Sequence, residues 1–184
     1  ARDVVCTYRV TGAESGGDQG ISVVARDAAG NSDFAAASTV FDFTPPALAA
    51  SSVSPAVARA GDDIVIAATA NETLVRAPAL RTTPSLSFTA SGGTFRHRVV
   101  AGENGSFTSA LDLEDLAGNV ATVAGPAFAV DTVAPVVTIT SAPLFASRVP
   151  GRSVVTVNLS VSEDVALDDV SAVIGDVDFD VCSG

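Results

Sequence analysis

Two acidic turns of the same pattern hold the side chains of this sequence that are best suited to chemistry. Asp27-Ala28-Ala29-Gly30-Asn31 recurs 88 residues later as Asp115-Leu116-Ala117-Gly118-Asn119. Carboxylate and amide oxygens are the hard ligands that Ca²⁺ prefers. The same residues also suit a purely structural turn, because Gly and Asn tolerate positive φ and an Asp side chain can cap its own turn. The pattern therefore indicates either calcium ligands or self-capped turns.

Further acidic residues recur in the linkers and in one other turn. Asp42 and Asp131 each precede a proline linker, and Glu72 and Glu163 each lie in a short acidic turn. In a seven-strand β-sandwich, the linker before the first strand, the B–C loop and the F–G loop meet at one pole. We therefore predict one calcium pole from Asp42, Glu72, Asp115 and Asn119, and a second from Asp131, Glu163, Asp164, Asp27 and Asn31. A solvated acidic surface without a bound ion is the alternative.

The composition excludes several classes of protein. The 184 residues include 10 basic and 21 acidic side chains, a formal charge of -11, and every basic residue is arginine. Without a basic stripe we expect no nucleic-acid partner, and no apolar run reaches the roughly 18 residues of a membrane helix. A chain without Lys has no P-loop and no Schiff base. Since His97 is also the only histidine, we expect no enzymatic activity.

Short apolar runs, several with alternating polar residues, predict strands throughout the chain. A period of two is typical of a half-buried strand, and no stretch sustains a helical period. The predicted strands are Ile21–Ala25, Asp62–Ala70, Leu86–Ala90, Thr94–Val100, Phe107–Leu113, Val136–Thr140, Val154–Val161 and Val177–Val181. The predicted bulky core residues are Phe34, Phe41, Phe88, Phe95, Phe107, Phe128 and Phe179. Many short strands separated by turns favour an all-β sandwich.

The turns and linkers repeat about every 90 residues, close to the length of an immunoglobulin-like sandwich. On this spacing, residues 44–132 form a complete sandwich, residues 1–43 the last strands of another, and residues 133–184 its first strands. A bare half-sandwich exposes strand edges and apolar faces. We therefore expect residues 133–184 to be completed by residues 1–43 of the next copy, head to tail, in a covalent tandem array or a polymer. Closure of one chain on itself is less favoured, because the proline linkers prefer extended backbone.

The Asp-x-Ala-Gly-Asn turns, the Asp-linker-Pro segments and the acidic turns at Glu72 and Glu163 together resemble the bacterial immunoglobulin-like repeats of large surface adhesins. The resemblance covers essentially the whole chain. It implies immunoglobulin-like β-sandwiches in a linear extracellular or cell-surface array, often with calcium near the domain junctions. We expect a structural repeat unit of a bacterial filament or adhesin-type array. The alternative is a recognition module whose polar loops bind a glycan or protein receptor.

The two cysteines, Cys6 and Cys182, fall on neighbouring strands of one hairpin when the two flanking pieces are joined. Neighbouring strands bring cysteines close enough for a bridge if their side chains face the same way. An even cysteine count in a secreted chain favours a disulfide, and two free buried thiols are the alternative. We predict a disulfide, with Cys182 of one copy beside Cys6 of the next.

Overall fold

The computed structural model describes residues 3–143, 148–149, 154–162, 170–175 and 177–178. These ranges contain β-strands and no helix, so the predicted all-β class is confirmed. The chain divides into two compact units, Ala1–Thr132 and Val133–Gly184. The strands are β1 (Gly17–Arg26), β2 (Ser32–Phe41), β3 (Leu48–Ser54), β4 (Val57–Ala58), β5 (Asp63–Ala70), β6 (Ala79–Thr83), β7 (Thr89–Ser91), β8 (Thr94–Arg98), β9 (Gly105–Glu114), β10 (Val120–Ala124), β11 (Phe128–Val130), β12 (Val137–Ser141), β13 (Asn158–Val161), β14 (Val173–Ile174) and β15 (Val177–Asp178).

Strands β3 to β11 form a β-sandwich of two sheets. One sheet has the antiparallel order β3-β5-β8-β7. The other is organised around β9, which pairs with β6 along one edge and with β10 and then β11 along the opposite edge. β11 also pairs with β4, and this pairing is parallel. The short strand β4, which follows β3, is therefore a neighbour of the last strand, β11, in the second sheet.

Alternating burial along β9 and β5 builds the core. Phe107, Ser109, Leu111 and Leu113 are 3%, 6%, 0% and 2% exposed, and the residues between them face outward. Ile64 and Ile66 of β5, both fully buried, belong to the same hydrophobic cluster as Leu111. The period-two prediction for Phe107–Leu113 is confirmed. This face of β9 is what positions the acidic turn at its end.

The first part of the chain forms a long hairpin, β1–β2, whose ten residue pairs run from Gly17↔Phe41 to Arg26↔Ser32. Nearly all of its residues are exposed on both faces. Its turn is Asp27–Asn31, so β1 occupies in the repeat the place that β9 occupies in the sandwich. The hairpin therefore has the strands of a sandwich layer without the cover that β9 has.

The described residues from 133 onward include two short antiparallel strand pairs. β12 pairs with β13 through Val137↔Val161 and Ile139↔Leu159, and β14 pairs with β15. The pair Val137↔Val161 has the same place in the repeat as Leu48↔Ala70 of β3 and β5. The pairing of β12 with β13 thus repeats the first strand pairing of the sandwich.

Several predicted boundaries and one predicted core residue differ from the structure. Residues 86–88 and 154–157 lie outside strands, and of the run 177–181 only residues 177–178 are described. Phe34 is 73% exposed, so its assignment to a core was wrong. It pairs with Val24, on the hairpin face opposite to Ile21 and Val23. Phe95, Phe107 and Phe128 are buried as predicted, Phe41 and Phe88 are half-buried, and Phe179 lies outside the described residues.

Candidate metal site

The turn after β9 is held by the carboxylate of Asp115, which is 2% exposed. Oδ1 accepts hydrogen bonds from the amides of Ala117 (2.9 Å) and Asn119 (2.8 Å), and Oδ2 accepts one from Asn119 Nδ2 (2.8 Å). Gly118 has a φ of 90°, which favours glycine. The self-capped turn, one of the two interpretations of the sequence pattern, therefore forms.

The turn of the β1–β2 hairpin repeats this arrangement. Asp27 Oδ1 accepts from Ala29 N (2.9 Å) and Asn31 N (2.8 Å), and Oδ2 accepts from Asn31 Nδ2 (2.8 Å). Partners and distances match those around Asp115. The two turns are therefore copies in structure as well as in sequence.

The linker before β3 is fixed to this end of the sandwich. Asn119 Nδ2 also donates to the carbonyl oxygens of Asp42 (3.1 Å) and Thr44 (3.5 Å). Asn71 N donates to Ala47 O (2.9 Å), and Ala47 N donates back to Asn71 Oδ1 (2.8 Å). We call this reciprocal pair of bonds the linker clamp. Asn119 and Asn71 together hold residues 42–47 beside the acidic turn.

Three carboxylates meet at this point. One oxygen from each of Asp42, Glu72 and Asp115 lies within 4.8 Å of the other two. Asp42 and Glu72 are half-buried, and a β-bridge between Leu74 and Asp115 brings the loop of Glu72 to the end of β9. In the described part of the chain this is the single group of three or more His, Cys, Asp or Glu side chains close enough to share a metal ion. The structure thus brings together three of the four residues predicted for the first pole, with the amide of Asn119 bonded to two of them.

A shallow cavity adjoins the three carboxylates. It has a volume of about 340 Å³ and is lined by Val40, Asp42, Glu72, Thr73, Leu116 and Ala117. Val40 and Leu116 are 65% and 72% exposed. Asp42 and Glu72 are therefore accessible to an ion from solvent, whereas Asp115 lies buried behind them.

Burial, neighbouring charges and hydrogen bonds shift the pKa values of two carboxyl groups at this site, Glu72 and Asp115. Partial burial, followed by the nearby carboxylates of Asp42 and Asp115, raises the pKa of Glu72 above its usual value. Burial alone would raise the pKa of Asp115 too, but the hydrogen bonds from Asn119, Ala117 and Gly118 outweigh it and lower that pKa. Asp115 is therefore held as an anion, and Glu72 is the carboxylate that like charge destabilises.

The donor set fits calcium. Ca²⁺ takes about six to eight oxygen ligands in flexible geometry, including carboxylates, carbonyls and water. Three carboxylates can supply most of these ligands, and the open cavity leaves room for water. Oxygen-only donors disfavour metals that select nitrogen or sulfur ligands. Residues Asp42, Glu72 and Asp115 would hold the ion, with Asn119 orienting the carboxylate of Asp115.

The second predicted pole stays a prediction. Asp27 and Asn31 form their own exposed turn, and Asp131, also exposed, follows β11 with its amide bonded to Ala58 O. Glu163 and Asp164 lie outside the described residues, so the structure does not test whether these five residues converge.

The remaining predicted residues are placed as follows. Cys6 is exposed with a free thiol and Cys182 lies outside the described residues, so their disulfide stays a prediction.

His97 is 10% exposed, and its Nδ1 and Nε2 lie 2.8 Å from Ser87 O and 2.9 Å from Glu103 Oε2. Partial burial raises the pKa of Glu103, but hydrogen bonds from Val100 N and His97 outweigh it, so that the pKa is lowered. His97 thus links two loops to β8.

Sequence reasoning missed the linker clamp, although its signal lies beside the acidic turns. Ser162 N donates to Val136 O (3.0 Å), and Val136 N donates back to Ser162 Oγ (2.9 Å). This is the bonding of Asn71 with Ala47, repeated in residues 133–184. In each case the residue that closes the clamp directly precedes an acidic one, Glu72 or Glu163. The same bonding therefore occurs in both segments of the repeat, residues 44–132 and residues 133–184.

Comparison with protein-family models finds none that matches the chain, and comparison with curated proteins finds no match. The described residues contain no helix with the length and hydropathy of a membrane span. Assignment to a class of function therefore rests on the fold and on the site.

Proposed function

We propose that this chain is a non-enzymatic structural repeat of an extracellular bacterial filament or adhesin-type array at the cell surface, in which calcium stiffens the domain junctions. Its action is mechanical: each β-sandwich is a rigid body, and each linker sets the direction of the next one. In this proposal Ca²⁺ binds at the two predicted calcium poles, where a linker meets the loops of a sandwich, and a disulfide joins Cys6 to Cys182.

The recurrence of the linker clamp is the observation that carries this proposal. Asn71 bonds Ala47 with the same reciprocal pattern that joins Ser162 to Val136. In this proposal, a clamp at the start of each sandwich would fix the path by which the chain enters that sandwich. Fixed linkers favour a stiff array, because a short linker held by hydrogen bonds loses the freedom of a flexible one.

The strand order supports the immunoglobulin-like part of the proposal. The sheets β3-β5-β8-β7 and β6-β9-β10/β11 correspond to the orders A-B-E-D and C-F-G of that sandwich. In this correspondence, Glu72 lies between strands B and C and Asp115 between strands F and G. These two loops share the pole that receives the linker.

Calcium would join the linker to the domain. Asp42 belongs to the linker, whereas Glu72 and Asp115 belong to loops of the sandwich, and their oxygens lie within 4.8 Å. Three carboxylates at this distance repel one another, so a bound cation would remove the repulsion and tie the two parts together. Calcium is thus expected to restrict the linker as well as stabilise the sandwich.

The surroundings of the only histidine support a structural role. Both ring nitrogens of His97 face oxygen acceptors, Ser87 O and Glu103 Oε2, and its side chain is 10% exposed. Both partners are a carbonyl or a carboxylate oxygen, and neither is a hydroxyl or thiol that His97 could activate as a nucleophile.

Limited proteolysis with metal analysis tests the proposal. Residues 42–47 lie outside strands, so a protease of broad specificity is expected to cut there slowly in millimolar calcium and faster in chelator. Magnesium at the same concentration serves as the control, because it demands octahedral geometry and keeps its waters. Equal cleavage in calcium and chelator, with no calcium retained after dialysis, would contradict the proposal.

A further inference from the structure

We infer that the β1–β2 hairpin uses one defined face to bind the β12–β13 sheet of a second copy of this chain. This inference rests on the proposed function, because it names the partner surface through which the repeat units would assemble. It commits to one occupant, a second copy, and to one face of the hairpin.

The two faces of the hairpin differ in composition. Cross-strand pairs Ile21↔Ala37 and Val23↔Ala35 put small and branched apolar side chains together on one face, which we call the docking face. The opposite face carries Val24, Phe34 and Val40 together with the charged Asp18 and Arg26, and the docking face carries one charged residue, Asp33, near the turn. Ile21 and Val23 are 45% and 52% exposed. The docking face is therefore an apolar surface of a sheet that solvent reaches.

The complete sandwich shows what covers this face in the equivalent strand. Val23 precedes Asp27 by four residues, as Leu111 precedes Asp115. Leu111 is 0% exposed, and it shares one core cluster with Ile66 of β5. In the sandwich, the face that corresponds to the docking face thus packs on the sheet that contains β3 and β5.

A copy of the β3–β5 pair is present in residues 133–184. In β12–β13, the pairs Val137↔Val161 and Ile139↔Leu159 place four apolar side chains on one face, and Val137 and Ile139 are 60% and 65% exposed. Leu159 has the place in the repeat of Ala68, which is buried in the core of the sandwich. The β12–β13 sheet therefore presents an apolar face that corresponds to the one that covers β9 in the sandwich.

The size of the face sets the expected strength of binding. Ten-residue strands at about 3.4 Å per residue and about 4.8 Å between strands give a face of roughly 300 Å². A stable interface buries about 800 Å² on each partner, so the docking face alone gives weak, reversible association. With a charge of -11 on every copy, added salt should strengthen it by screening their repulsion.

Two neighbouring valines provide a matched test. Val23 lies on the docking face, and Val24, 66% exposed and paired with Phe34, lies on the other. By sedimentation velocity in 0.5 M salt, the wild-type chain and Val24→Asp should gain mass as concentration rises. Val23→Asp should stay near 18.3 kDa, with association weakened by about tenfold or more, because docking would bury a carboxylate. Circular dichroism of each variant checks that it is folded.

Complementation identifies the occupant. Ile139→Asp damages the partner sheet and leaves the docking face intact, so it too should remain monomeric. A mixture of Val23→Asp and Ile139→Asp retains one intact pair of faces and should form a discrete dimer that neither variant forms alone. Equal behaviour of the two valine variants, a monomeric wild type at every concentration, or no dimer in the mixture would each overturn the inference.

The calcium response of the same samples separates the two proposals. If calcium raises the melting temperature of all variants but the docking experiments fail, the docking inference is wrong and the proposed function stands. If docking occurs as described and calcium has no effect on stability, the inference stands and the calcium-stiffened function is wrong.

Discussion

The substitution Glu72→Gln should stabilise the protein relative to the wild type without calcium and destabilise it once calcium is bound. The substitution removes one of three carboxylates that meet within 4.8 Å. Partial burial, Asp42 and Asp115 raise the pKa of Glu72, which means that folding disfavours its ionised form. A carboxyl group with a raised pKa lowers stability as the pH rises past its unfolded value. At neutral pH without calcium, Glu72→Gln should therefore melt at a higher temperature than the wild type.

Calcium should change the order of the two proteins. Calcium at a hundredfold excess over its Kd stabilises the folded state by about 2.7 kcal/mol. For a domain the size of residues 44–132, each kcal/mol shifts Tm by about 4–8 °C, so the wild type should gain roughly 10–20 °C. Metal sites lose about tenfold in affinity even when an outer partner is removed. A tenfold loss for Glu72→Gln would cut its calcium-induced gain to about half.

Differential scanning calorimetry measures both effects, in chelator and across a calcium titration. Glu114→Gln is the control, because it makes the same charge change beside Asp115 but removes only an exposed ion pair with Arg76, which is worth about 0–1 kcal/mol. The control should keep the full calcium response. The reasoning is refuted if Glu72→Gln is less stable than the wild type in chelator and responds to calcium as strongly.

Three further predictions concern the core, pH and the cysteines. Leu111→Ala, at a fully buried position, should cost about 2–5 kcal/mol and lower the Tm of the sandwich by roughly 8–40 °C. A loss below 1 kcal/mol by chemical unfolding would contradict the core assignment. The pKa of Glu103 is lowered, so the contribution of its carboxylate to folding stability is present above about pH 4 and lost as the pH falls. Glu103→Gln should therefore lose less stability than the wild type between about pH 5 and 3. Parallel acid-unfolding curves of the two proteins would refute this. Cys6 and Cys182 should be recovered as one disulfide-linked peptide pair by non-reducing mass mapping, and two free thiols under oxidising conditions would contradict their pairing.

The pattern of β9 shows what sequence can predict. Phe107, Ser109, Leu111 and Leu113 alternate strictly, and that period alone fixes which side faces a core. The acidic turn after β9 was equally readable, because Asp, Gly and Asn at these spacings have few other ways to fold. Local periodicity and turn chemistry are thus encoded within ten residues.

The errors arose where local signals are weak. β2 and β3 are rich in Ala and Ser, which carry little strand preference, and neither was predicted. Phe34 is apolar, but its pairing with Val24 puts it on the face opposite to Ile21 and Val23, and register depends on the whole hairpin. Apolar character alone therefore did not identify which side chains are buried.

The candidate site was partly predictable. The repeats suggested that Asp42, Glu72 and Asp115 share a pole, and the topology brings them within 4.8 Å. The linker clamp was not predictable, because Asn71 and Ala47 are 24 residues apart and their contact depends on how β3 pairs with β5. Contacts of this kind follow from the assembled sheet, and no short segment encodes them.

Electron microscopy of the concentrated, calcium-loaded chain tests the central claim, that this sequence is a repeat of a linear array, most directly. A sandwich built on ten-residue strands is about 34 Å long, so two sandwiches per copy predict rods with an axial repeat of about 70 Å. Chelator or the Val23→Asp substitution should shorten these rods. Compact particles of single chains at every concentration, unchanged by calcium or by the substitution, would contradict the account.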